Sequence, residues 1–154
     1  MIDQQLTAHF WLSEFLHSDI AVRFRIDNTP TAYALANIET SLAQGMQRAR
    51  NLLGYPIILS SGYRCEELNT KVKGAKDSAH VQGLAADFTC PALGPPRKIA
   101  TNLMIHAQEI GYDQLIYEGT WVHLAFARAG SKPRREALTA VFGPRKVFYT
   151  AGIT

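Results

Sequence analysis

Ser78-Ala79-His80-Val81-Gln82-Gly83-Leu84-Ala85-Ala86-Asp87 sets one imidazole and one carboxylate seven positions apart, with Gly83 free to turn the chain from loop into strand between them. From Leu84 the side chains alternate, Leu84, Ala86 and Phe88 toward one face and Ala85, Asp87 and Thr89 toward the other. That alternation predicts a strand over 84–89 with Asp87 on the side away from the core. Upstream, Ile57-Ile58-Leu59-Ser60 is a short apolar run bounded by turn formers and reads as a buried strand, while residues 64–78 carry loop chemistry. Further back, Leu35, Ile38, Leu42, Met46, Ala49 and Leu53 recur at helical spacing after Asn28-Thr29-Pro30, a capping side chain followed by proline in the first turn. Gly54 and Pro56 end that helix, and the aromatic-rich residues 9–16 suggest a shorter one with Ser13 as its N-cap.

Downstream, Pro95-Pro96 introduces a helix carrying Ile99, Leu103, Ala107 and Ile110 on one side and stopping at Gly111. Residues 114–117 and 121–126 then read as two strands joined through Gly119-Thr120, because glycine at the first central position suits a type II′ hairpin. Helices mixed with short strands make the fold class α+β, a small antiparallel sheet packed with helices.

The hairpin brings in a second imidazole. Trp121, His123 and Ala125 share one face opposite Val122, Leu124 and Phe126, and if that face adjoins the face bearing Asp87, His80, Asp87 and His123 converge. Two nitrogens and one oxygen suit a single Zn²⁺ ion, and three protein ligands leave a fourth tetrahedral position for water, which distinguishes catalytic zinc from structural zinc. A general base is then needed, and hairpin arithmetic nominates Glu118: with Gly119-Thr120 as the turn, Glu118 pairs with Trp121 and Ile116 with His123, making Glu118 the diagonal neighbour of His123 on the same face.

With 154 residues and 47% hydrophobic composition the chain suits one compact domain over 1–154, its core at about 9–126 and a basic C-terminal extension over 127–154. A charged fraction of 19% and ordinary Pro and Gly contents exclude disordered and collagen-like classes. No apolar run reaches the roughly 18 residues of a membrane span, and Asp3, Gln4, Gln5 and His9 do not resemble a secretory signal, so a soluble monomer made in the cytoplasm without a signal peptide is expected, with no membrane insertion. The net charge of +3 owes much to Arg128, Lys132, Arg134, Arg135, Arg145 and Lys146. A solvated basic face is the plainer reading and an anionic partner the sharper one; so small an excess does not mark a specific nucleic-acid binder. Cys65 and Cys90 fit no zinc motif and leave open either one bridge or two inert thiols.

Ser61-Gly62-Tyr63-Arg64, the Ser-x-His-x-x-Gly-x-Ala-x-Asp pattern over 78–87 and Trp121-Val122-His123 together resemble the zinc D-Ala-D-Ala carboxypeptidases and L-alanyl-D-glutamate endopeptidases. These are peptidoglycan peptidases that include phage endolysins and share their fold with the hedgehog signalling domain. The similarity runs from about residue 9 to residue 126, and Glu14-Phe15, Asn28-Thr29-Pro30 and Gln114-Leu115-Ile116-Tyr117-Glu118 are similar to the small phage and prophage branch. The resemblance implies zinc held by His80, Asp87 and His123, an Arg64 that steadies the substrate or a developing oxyanion, and a Ser78 that hydrogen-bonds near the substrate. Tyr63, Tyr117 and Trp121 are expected along the cleft or in the core. The implied substrate is the stem peptide of peptidoglycan, cleaved by endopeptidase action in wall lysis or remodelling, with carboxypeptidase trimming as the alternative. An endolysin role would bring the protein to the wall or periplasm only on release from the cytoplasm.

One departure matters: many relatives carry the catalytic carboxylate three residues before the last histidine ligand, where this chain has Thr120. It motivates a rival of another class, a non-catalytic, zinc-stabilised wall-binding or phage structural module. His9, His17 and His106 have no spacing that suggests ligation.

Overall fold

The computed structural model describes residues 2–154. Helix α1, Leu12–Leu16, is capped by Trp11 rather than by Ser13: the Glu14 carboxylate accepts from the Trp11 N–H at 2.7 Å, while the Ser13 side chain is taken up by Asp3. Helix α2, Asp19–Phe24, follows at once under Ser18, whose hydroxyl accepts from Ala21 N–H. Helix α3, Ala32–Asn37, starts at Thr31 rather than at Asn28. Asn28 is occupied elsewhere, donating to the Leu16 and Tyr63 carbonyls and accepting from Cys65 N–H. A single widened π turn, Ile38–Leu42, joins α3 to α4, Ala43–Leu53, which Gly54 ends with φ +76° as its sequence position predicts.

Strand β1, Ile58–Ser61, leads into α5, Glu66–Lys71, within the stretch expected to be loop. This helix is under two turns long and shows no periodic apolar face; Cys65 Sγ caps it by accepting from Leu68 N–H. Strand β2, Ala85–Thr89, is followed by α6, Pro96–Ile105, and α7, Ala107–Ile110, then by β3, Gln114–Tyr117, and β4, Val122–Ala125. The last 28 residues, read from sequence only as a basic extension, contribute β5, Glu136–Phe142, and β6, Val147–Ala151.

All six strands form one sheet in the order β1-β2-β4-β3-β5-β6. The expected antiparallel pairing holds except between β3 and β5, which run parallel because the chain crosses from the end of β4 back to the start of β3 before entering β5. One face is covered by α4 and α6, and the core joins Leu42, Met46 and Leu103 to Phe88, Leu115 and Leu124 of the strands. The other face is left for the site. Cys65 and Cys90 are unbridged, and among the described residues no helix is long and apolar enough to cross a membrane.

Candidate metal centre and its cleft

Strand pairing decides which side chains meet. β2 and β4 are not consecutive in the chain, yet they are neighbours in the sheet, and their register sets Asp87 directly opposite His123. Directly opposed residues share a face, so the carboxylate and imidazole project together, with His123 Nδ1 2.9 Å from Asp87 Oδ1. His80 arrives from the turn before β2. Gly83 has φ +72° there and lies so close to α3 that a Cβ would sit 2.4 Å from the Ala34 carbonyl oxygen, while the Asn37 amide donates to the Gln82 carbonyl at 2.9 Å. The turn is thus pressed against a helix through a position only glycine fits.

His80 is almost fully buried, at 2% exposure. Its Nδ1 lies 2.7 Å from the Gly62 carbonyl oxygen, which can only accept, so Nδ1 carries the proton and Nε2 presents a lone pair. Burial holds His80 below its ordinary pKa, against the pull of Asp87, and so favours the neutral ring. Burial works against ionisation of Asp87 too, but the neighbouring imidazoles, with His123 hydrogen-bonded to it, outweigh that and hold the carboxyl well below the usual carboxylate range. Nε2 of His80 and Oδ1 of Asp87 therefore face each other 3.3 Å apart as two acceptors with no proton between them. Two facing acceptors suit a cation between them. Ligands at about 2.0–2.1 Å from a tetrahedral ion stand about 3.3–3.4 Å from one another, so the separation matches one edge of such a site. One atom from each of His80, Asp87 and His123 lies within 4.8 Å of the others, and the N, N, O donor set fits zinc.

The same chemistry predicts a pH dependence. Between the lowered pKa of folded His80 and its ordinary 6.5, the unfolded chain takes a proton that the folded site refuses, so stability falls as pH drops through that window. Chelator-treated protein is expected to lose melting temperature as pH falls below the ordinary histidine value of 6.5, and His80→Gln to flatten the slope. Equal slopes would place the effect elsewhere.

The cluster forms the floor of a cleft of about 980 Å³. Arg64, Ser78, Glu118 and Trp121, four of the residues singled out from the sequence, line it. Arg64 is held by its backbone N–H to the His80 carbonyl at 3.1 Å, and its buried Nε has no hydrogen-bond partner among the described residues, leaving a donor aimed at nothing in the protein. Glu118 stands at the hairpin end with the expected register, Tyr117 opposite Val122 and Ile116 opposite His123, and Gly119 has φ +86°. Burial raises the Glu118 pKa; the His123 side chain opposes the shift and the Asp87 charge adds to it.

Tyr63 is not part of this surface. It is 3% exposed and belongs to the core: the chain leaves β1 after Ser61, and the Tyr63 N–H donates to the Phe15 carbonyl at 2.7 Å, which holds the residue against the inner side. Tyr117 likewise packs against the core. Among the histidines set aside, His9 contacts Gln47 and His106 the Asn102 carbonyl, while His17 reaches the cleft rim paired to Asp19 at 2.8 Å. Gln114, Ile116, Arg134 and Tyr149 also line the cleft and were not foreseen. The alternation that puts Gln114 and Ile116 on the face of Glu118 was available in the sequence; Arg134 and Tyr149 depend on β5 and β6. The basic cluster is partly neutralised, since Arg134 grips Asp113 through a fork with its shortest contact at 2.7 Å.

A family model described as Peptidase M15 matches residues 8–125. No curated protein matches the chain.

Proposed function

The chain belongs to the peptidase M15 family, whose members are zinc-dependent peptidases, and from that membership we propose that it is a one-zinc metallopeptidase hydrolysing an amide bond in peptidoglycan stem peptides, by endopeptidase cleavage in wall lysis or remodelling. The observation that carries the reading is the pair of facing acceptors, His80 Nε2 and Asp87 Oδ1, with His123 beside them at the floor of an open cleft. Zinc held by these three residues supplies Lewis-acid chemistry, acidifying a water and polarising the scissile carbonyl.

The chain's own groups supply the rest. Glu118, half-buried on the cleft wall and with a raised pKa, is suited to take a proton from the attacking water and pass it to the departing amine. Arg64 brings a cationic guanidinium to the cleft wall, which suits either a substrate carboxylate or the oxyanion that develops on the carbonyl oxygen. Ser78 and Trp121 border the same space and offer a hydroxyl and an aromatic edge to the peptide. In this reading the protein acts as phage and prophage endolysins do, meeting the wall or periplasm after release.

Purified protein should contain close to one zinc per chain and lyse isolated cell walls, lose lysis on chelation and regain it on zinc addition. Mass analysis of the released muropeptides then identifies the bond: new termini within the stem peptide support endopeptidase cleavage, and loss of terminal D-Ala alone excludes it. Thr120 at the position where many relatives carry a carboxylate keeps a second reading, a non-catalytic zinc-stabilised wall-binding or phage structural module. That reading gains if zinc raises thermal stability without turnover on any peptidoglycan.

A further inference from the structure

The cleft has two sides, and one of them extends past the residues that the family model matches. On one side of the metal floor stand Ser61, Arg64 and Ser78, from β1 and the turns around α5. On the other, past Ile116 and Glu118 of β3 and its turn, the wall continues onto Arg134 and Tyr149, which lie beyond the match at residues 8–125. The pairings explain how. Ile116 lies beside Leu138 in the parallel β3–β5 pair, Leu138 opposite Ala151 and Ala140 opposite Tyr149 in the β5–β6 hairpin. These residues therefore share the sheet face that carries His123.

Tyr149 is 53% exposed, on the edge strand, facing the cleft rather than the core. Burial and the charge of Glu118 push its phenol up, so it remains an O–H donor at neutral pH and stands close enough to the Glu118 carboxylate to feel it. An exposed aromatic beside a proposed general base, continuous with the metal floor, is the kind of rigid amphipathic surface on which a peptide backbone and its side chains rest. Phe148, the neighbouring aromatic, is 49% exposed but points to the opposite face.

We infer that the β5–β6 hairpin is a second substrate-binding arm, with Tyr149 a specificity-determining residue that holds the peptide on the far side of the scissile bond from Arg64. The inference rests on the peptidase reading and deepens it: a cleft with an arm on each side of the metal takes a peptide that continues in both directions, as an endopeptidase substrate does, rather than one that ends at the bond cleaved.

The test uses two series of synthetic stem peptides, one lengthened on each side of the bond cleaved, with kcat/KM measured on the zinc-loaded protein and Kd on the metal-free protein, which does not consume them. Wild type should gain with length in both series. Tyr149→Ala should remove the gain with length in one series only, by about tenfold in kcat/KM and Kd relative to the other series, with zinc content unchanged; Phe148→Ala should behave as wild type. Equal loss on all peptides, no loss on any, or the same loss in Phe148→Ala would overturn the arm. Absence of zinc-dependent turnover by wild type defeats the peptidase reading separately, and the Kd series still decides whether Tyr149 contacts the longer peptide.

Discussion

Replacing His123 by alanine is expected to take both the metal and the hydrolysis with it, lowering kcat/KM by more than about a thousandfold. His123 is directly opposed to Asp87 across β2 and β4 and supplies the nitrogen that, with Asp87 and His80, closes the donor set. Two remaining ligands make a poor zinc site, since catalytic zinc is held by three. The loss is therefore one of occupancy before it is one of rate. Elemental analysis and wall lysis, read together on the variant and on chelated wild type, should show the same two deficits. A variant that keeps one zinc per chain and a tenth of the activity would mean that the ion is held elsewhere. Stability of the metal-free protein should change far less than activity, because the imidazole lies at the cleft floor rather than in the apolar core.

Glu118→Gln should produce a different pattern: zinc retained, fold retained, and kcat reduced by about 10²–10⁴. Glutamine keeps the volume and one hydrogen-bonding oxygen but cannot accept a proton. The pH profile carries the sign. A general base works when ionised, so wild-type activity should fall as pH is lowered through the Glu118 pKa, which burial sets above the ordinary 4.5. The variant should lack that acidic limb. Thr120→Ala, which alters the position where many relatives place the carboxylate, should leave kcat near wild type. If Glu118→Gln matches wild type and Thr120→Ala does not, the assignment of the base is wrong; if all three proteins are inert while binding zinc, the non-catalytic module is the better account.

The elements that could be read from the sequence are those whose signals are local. The helix ending at Gly54, the strand carrying Asp87 and the hairpin through Gly119-Thr120 follow from periods and turn chemistry spanning a few residues. Caps were less legible, because several polar side chains compete for each helix start: Ser13 went to Asp3 and Asn28 to three backbone groups, leaving Trp11 and Thr31 at the ends. Helix α5 was missed because a short polar helix has no apolar face to announce it.

What the sequence determined by itself is the chemistry: two imidazoles and a carboxylate set on turns and strands of fixed alternation, and a glutamate whose register relative to His123 a two-residue turn dictates. What only the tertiary structure decided is adjacency between segments distant in the chain. That includes Asp87 facing His123 across non-consecutive strands, Tyr63 turned into the core, and β5 laid parallel to β3 so that Tyr149 reaches the cleft. Alternation states which face a side chain takes, whereas strand order depends on which apolar faces can be buried together, a property of the whole chain that no short stretch contains.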